Sequence, residues 1–252
     1  MEKNEVSQIV WHDLFTEDRQ CAMSFYQNVA GWTYVTEQAS DFTWGGGEQS
    51  YVLALSGQEA GAGFIIASPG FATGWIVYVE VPDVDATSAL TEKLGGSIVR
   101  SPFDVPGVGR SALLRDPRGA RFGITFSRHS FPVPQHQFGT EIYLTGVQPF
   151  PATFYSNLFG WKCLEAPDDT HPQRVVSATD GKDVALILND EKTVSRPACW
   201  VPAIKIKEQA GFRKKAQGPG TATTGPVFAE KSLRKSSLQE DPDRAVILLN
   251  VT

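Results

Sequence analysis

A histidine, a tyrosine, a glutamate and an arginine on three strand-like runs are the residues of this chain best placed to do chemistry. His12 lies in the run Ile9 to Thr16, Tyr78 and Glu80 in Gly74 to Val81, and Arg121 in Arg121 to Ser127. Side chains alternate across a strand, so Val10, His12 and Leu14 share a face, as do Ile76, Tyr78 and Glu80, and Arg121, Gly123 and Thr125. A histidine within hydrogen-bond reach of a glutamate could act as base and orienter in metal-free proton transfer. The same four side chains would be equally well satisfied as a structural set, with Glu80 paired to Arg121 and His12 hydrogen-bonded to Tyr78. A catalytic metal is harder to assemble, because it needs three or four donors converging from separate strands. Cys21, Cys163 and Cys199 form no short-spaced pair, and His129, His136 and His171 fall in linker or loop stretches.

The elements that must position these residues follow from local pattern. After the first strand, Glu17 to Asn28 has helical character, with Cys21, Ala22, Phe25 and Val29 on one face and Gly31 to end it. Short strands follow at Gln49–Ser56 and Gly63–Ala67, then a branched and aromatic strand at Gly74–Val81. Asp83 caps a second helix, Ala86 to Leu94, which Gly95 and Gly96 close. Ile98–Val99, Ser111–Arg115 and Arg121–Ser127 complete the strands. Gly45-Gly46-Gly47 has no helix after it and reads as a turn rather than a phosphate cradle.

Composition narrows the function classes. The chain has 252 residues, 41% of them hydrophobic, and a net charge of −5 from 23 basic and 28 acidic side chains. That is ordinary globular composition, long enough for two domains. The longest basic stretch, Phe212-Arg213-Lys214-Lys215, is too short to track a phosphate backbone, so nucleic acid is not an expected partner. No run approaches the ~20 apolar residues that span a bilayer, so a membrane is not expected either. The amino terminus lacks a leader pattern, and the three cysteines fit a reducing setting, so a cytoplasmic location is expected.

The chain also repeats itself. Phe25-Tyr26-Gln27-Asn28-Val29-Ala30-Gly31-Trp32 returns as Phe154-Tyr155-Ser156-Asn157-Leu158-Phe159-Gly160-Trp161, matching at five of eight positions with an offset of 154 − 25 = 129. Trp75 and Trp200, Phe103 and Phe228, and Asp116-Pro117 and Asp241-Pro242 match at an offset of 125. Four matches in one order indicate duplication. The reading is two homologous halves, residues 1–130 and 138–252, joined by a linker at 131–137.

With those residues in view, the chain resembles the vicinal oxygen chelate superfamily, which includes glyoxalase I, bleomycin resistance proteins, fosfomycin resistance enzymes and extradiol dioxygenases. The resemblance is carried by Trp11-His12-Asp13-Leu14, Phe25-Tyr26, Gly31-Trp32, the stretch Val79 to Ala86, Leu94-Gly95-Gly96 and Asp116-Pro117-Arg118-Gly119. It implies an α+β fold of two tandem vicinal-oxygen-chelate modules, each a pair of βαβββ units forming an incomplete barrel. The concave side of such a barrel holds a small molecule, commonly beside a divalent metal. His12 matches the histidine that many members place on the first strand. The other ligand positions fall on Ile76, Gly123 and Phe64 or Ile65, and in the second half on Glu141, Val201 and Leu248, so no metal or other cofactor is expected.

The resemblance turns Ile76 toward the cavity, which would then display His12, Tyr78, Glu80 and Arg121, with Trp11, Val77, Val79, Phe122 and Ile124 beneath the helices. Arg110 would cover the cavity mouth. The second module would display Glu141, Tyr143, Lys205 and Asn250, with Glu141 and Lys205 neutralising each other, and is expected to be degenerate. The implied function is metal-independent binding of a small hydrophobic or aromatic molecule, as in the bleomycin resistance proteins. Its rivals are a lyase, isomerase or dioxygenase with an atypical metal or a metal-free His12 base, and a degenerate scaffold for protein interaction. The expected state is a monomer acting as a built-in pseudo-dimer, or a homodimer.

Overall fold

The computed structural model describes residues 7–40, 48–129, 131–166, 171–189, 197–206 and 236–251. Three βαβββ motifs are complete within that range. The first is β1 (Ile9–Thr16), α1 (Arg19–Ala30), β2 (Thr33–Ser40), β3 (Glu48–Ser56) and β4 (Glu59–Ile66). The second is β5 (Gly74–Glu80), α2 (Val84–Lys93), β6 (Ser97–Val105), β7 (Gly109–Arg115) and β8 (Arg121–Ser127). The third is β9 (Glu141–Thr145), α3 (Ala152–Phe159), β10 (Trp161–Leu164), β11 (Gln173–Ser177) and β12 (Asp183–Asn189). The remainder supplies β13 (Cys199–Val201), β14 (Ala203–Ile206), β15 (Ser237–Glu240) and β16 (Val246–Val251). The Gly45–Gly47 turn, the Phe212–Lys215 stretch and Phe228 lie outside the described residues. No helix among the described residues is long and apolar enough to cross a membrane.

Local chemistry explains where the helices begin and end. Asp18 caps α1 by accepting from Cys21 N, and Asp83 caps α2 by accepting from Ala86 N. Gly31 and Gly160 end α1 and α3 in the left-handed region, at φ 70° and 71°, and donate back to Gln27 O and Ser156 O. The repeated motif keeps glycine there because that backbone conformation disfavours any side chain.

The chain forms two compact units that cross the sequence halves. Unit 1 comprises Met1–Trp11, Ile76–Val133 and Thr140–Trp200, and unit 2 comprises His12–Trp75, Pro134–Gly139 and Val201–Thr252. In unit 1 the strands run β5-β8-β7-β6 and β10-β11-β12-β9-β13, and in unit 2 they run β2-β3-β4-β1 and β14-β16-β15. Each unit has its own apolar core. Unit 1 packs Val77, Val79, Phe122, Phe154, Tyr155, Trp161 and Trp200 among others, and unit 2 packs Leu14, Phe25, Tyr26, Trp32, Phe64, Trp75 and Ile247.

The duplicated residues are the polar centres of those cores. In unit 2, Trp75 Nε1 donates to Tyr26 Oη at 2.9 Å, and Tyr26 Oη donates to Asp241 Oδ2 at 3.1 Å. In unit 1, Trp200 Nε1 donates to Tyr155 Oη at 2.9 Å, and Tyr155 Oη donates to Asp116 Oδ2 at 2.9 Å. Trp32 and Trp161 stack on the tyrosines at 5.4 and 5.5 Å. Each triad takes its Tyr and Trp from one half of the sequence and its Asp from the other, which ties together residues as far apart as 26 and 241. Part of the 131–137 joint is packed as well. Glu59 accepts from the backbone N–H groups of Gln135 and His136, and buried Phe138 follows directly.

Burial pushes the Asp241 carboxyl up to about 6. Unfolding returns it to its ordinary value near 3.8, so the folded chain holds this proton more tightly. The resulting stabilisation is fully present below pH ~4 and is lost as pH rises through about 6, amounting to ~3 kcal/mol. Urea titrations of the parent and Asp241→Asn from pH 3.5 to 7.5 should therefore show the parent losing stability relative to the variant over that window. Parallel curves would refute the assignment.

Candidate functional site

In unit 1, alternation divides each strand between two faces. Val77, Val79, Ala112, Leu114, Phe122 and Ile124 pack in the core with Val84 of α2. Tyr78, Glu80, Ser111, Leu113, Gly123 and Thr125 therefore occupy the opposite face of β5, β7 and β8. Register aligns them in rows. Tyr78 and Leu113 both pair with Gly123, while Glu80 and Ser111 both pair with Thr125.

Gly123 is bare for a steric reason: a Cβ there would lie 2.2 Å from Tyr78 Cδ1, so the tyrosine ring occupies the space that a side chain would need. Ser111 Oγ and Thr125 Oγ1 are hydrogen-bonded at 3.0 Å. Glu80 accepts from Ser127 at both oxygens, from the backbone N–H at 2.9 Å and from Oγ at 2.7 Å. The expected Glu80–Arg121 pair is not formed. Arg121 lies half-buried beside Arg115 and Cys199, where burial first, and Arg115 second, push its pKa down.

The first strand is turned the other way from the sequence expectation. In unit 2, Leu14 packs in the core with Ala22, Phe25 and Val29 of α1, and His12 shares that side, its ring stacked on Phe138 at 3.7 Å and 15°. Asp13 and Phe15 take the opposite face, where Asp13 Oδ1 accepts from Tyr51 Oη at 2.8 Å. Gly63, paired with Asp13, leaves room for that bond, since a Cβ would meet both polar atoms. A shift of one residue exchanges every side chain between faces, and the demand to bury Leu14 under α1 decides the matter. Asp13, a carboxylate that the opposite assignment would have placed under α1, was the available signal.

The remaining candidates are engaged elsewhere. Arg110 binds Asp85 through Nε and Nη2 at 2.7 and 2.8 Å and Asp104 through Nη1 at 2.8 Å, so its guanidinium is committed to a surface ion network. Tyr143 is not a cavity residue. It is in the unit 1 core and donates to Asp116 Oδ2 at 2.7 Å, and Glu141, two residues before it, is buried on the same side of β9. Lys205, in unit 2, donates through Nζ to the Gln135 carbonyl at 3.0 Å. Among the described residues no three His, Cys, Asp or Glu side chains form a group that could hold a metal. With His12 stacked in the unit 2 core and Glu80 bound to Ser127, the described residues do not fit the divalent metal that the resemblance implies.

Comparison with known proteins agrees with the motif order. Residues 8–124 match the Glyoxalase/Bleomycin resistance protein/Dioxygenase superfamily. That segment of the chain is similar to the superfamily. CFP32 of Mycobacterium tuberculosis, whose name assigns it provisionally to the glyoxylases, is 36% identical to this chain over 121 residues. That alignment covers 48% of this chain and 44% of CFP32, so the match spans less than half the length of the relative.

Solved structures share the fold over the whole chain. A variant of 4-hydroxymandelate synthase from Streptomyces coelicolor aligns over 99% of this chain and 94% of its own, with a TM-score of 0.59 at 12% identity. Homoprotocatechuate 2,3-dioxygenase from Brevibacterium fuscum, in complex with 3,4-dihydroxyphenylacetate, aligns over 99% and 82%, with a TM-score of 0.58 at 13% identity. At such identities the likeness is one of fold.

Proposed function

We propose that this chain binds a small hydrophobic or aromatic molecule without a resident metal, on the face of β5, β7 and β8 in unit 1. The observation that carries this reading is the arrangement of that face. An aromatic ring over a bare glycine, with Leu113 alongside, adjoins a row of one carboxylate and two hydroxyls. A mainly apolar surface with a few fixed polar groups is what orients a small molecule. The 3,4-dihydroxyphenylacetate held by the dioxygenase of the same fold supports an aromatic ligand.

Plasma mass spectrometry on protein purified without chelator, after incubation with nickel, zinc, iron or manganese, tests the metal-free part. Substoichiometric metal, unchanged in His12→Ala, is expected; about one metal per chain, lost in that variant, would overturn it. A phenol and indole fragment screen by thermal shift tests the binding part. Gly123→Ala should displace the Tyr78 ring and weaken the hits by about tenfold. Hits that ignore Gly123→Ala would place the ligand elsewhere.

A further inference from the structure

Glu80 closes one end of this face, and its surroundings specify the ligand further. The side chain is only 4% exposed, and both of its hydrogen bonds come from Ser127. An ionised carboxylate has about four acceptor positions, so roughly two remain open. Among the described residues no lysine or arginine pairs with it.

The nearby cation candidate is His129, two residues beyond Ser127. Burial lowers the His129 pKa, while the charge of Glu80 acts weakly in the other direction. Its Nδ1 accepts from the Phe131 backbone N–H at 3.1 Å, which leaves Nε2 to carry the proton of the neutral ring. The imidazole also lies against the Phe131 ring at 4.9 Å, and Phe131 is 67% exposed.

The end of β8 thus combines a buried carboxylate, paired with no lysine or arginine among the described residues, with two aromatic rings, one of them open to solvent. Burying an unpaired carboxylate is costly, and a ligand cation would offset that cost. Aromatic faces attract organic cations as well. We infer that Glu80, Ser127, His129 and Phe131 form a recognition point for an organic ammonium group at the polar end of the ligand. This inference rests on the binding function proposed above.

Three probes with one ring and different charge test it: tyramine, p-cresol and 4-hydroxyphenylacetate, each titrated calorimetrically at pH 7.5. Tyramine should bind at least about tenfold more tightly than p-cresol, and 4-hydroxyphenylacetate should be weakest. Glu80→Gln should remove the preference for tyramine over p-cresol, with near-UV circular dichroism confirming the fold. Phe131→Ala, at an exposed position, should weaken tyramine by about threefold. Equal binding of the three probes, or a tyramine affinity untouched by Glu80→Gln, would overturn the ammonium site while p-cresol binding still upheld the broader reading. Failure of all three to bind would overturn both.

Discussion

Asp116→Ala should lower the free energy of unfolding by about 4 kcal/mol, the largest loss expected from any single polar side chain in the structure. Asp116 is buried and accepts four hydrogen bonds. Oδ1 takes the backbone N–H groups of Arg118 and Ala120 at 2.8 and 2.9 Å, and Oδ2 takes the hydroxyls of Tyr143 and Tyr155 at 2.7 and 2.9 Å. Burial pushes its pKa up, with these bonds pulling the other way. Truncation leaves four donors unpaired in a region that admits little water, and each such group costs about 1–3 kcal/mol before relaxation.

Asp116→Asn keeps an acceptor for the two backbone groups but offers an N–H pair to two hydroxyls that were donating. It should cost about half as much. Asp104→Ala is the control, because its pairs with Arg110 and Arg128 are exposed and contribute little. Urea unfolding at pH 7 measures all three. A loss below about 1 kcal/mol for Asp116→Ala would show that the unit 1 triad is not a structural centre.

The second large effect is a contrast between two glycines in one turn. Gly109→Ala should destabilise by about 3 kcal/mol or more, and Gly107→Ala by about 1 kcal/mol. Gly107 lies at φ 73° with open space around it, so an alanine there meets only the backbone strain of the left-handed region. Gly109 lies at φ 154°, and a Cβ would come within 2.1 Å of the Phe126 carbonyl oxygen. That oxygen is backbone in β8, which pairs with β7 along its whole length from Gly109 to Arg115, so it cannot move aside without breaking the ladder. β7 and β8 also carry Ser111, Leu113, Gly123 and Thr125, so Gly109→Ala should weaken ligand binding too. Thermal unfolding of the two variants side by side checks this, and equal shifts in Tm would refute it.

Much of the architecture was legible in the residues. The helix end at Gly31, the cap at Asp83 and strands with one apolar face are local or periodic features, and most elements of the first two βαβββ motifs follow from them. The strand β2 escaped that reading. It lies at the edge of its sheet, and all of its described side chains are exposed or only partly buried, so burial wrote no clear alternation into Thr33–Ser40. The candidate site was legible in part. Strand period placed Tyr78 and Glu80 on one face together, but gave no origin for β1, and there the choice between faces went the wrong way.

The sequence by itself determined the duplication, the superfamily resemblance and which residue types recur: Tyr, Trp and Gly in one motif, Asp-Pro in another. Only the tertiary structure decided what those residues do for each other. Tyr26 meets Asp241 and Tyr155 meets Asp116 across the two halves, because an interior carboxylate must find donors wherever the folded chain brings them. The same rule sent Glu80 to Ser127 rather than to Arg121, and left a buried carboxylate at the end of β8 that pairs with no lysine or arginine among the described residues. Local pattern is set by neighbours three or four residues away. The partners of buried polar groups can lie 215 residues apart, as Tyr26 and Asp241 do, beyond the reach of any periodicity.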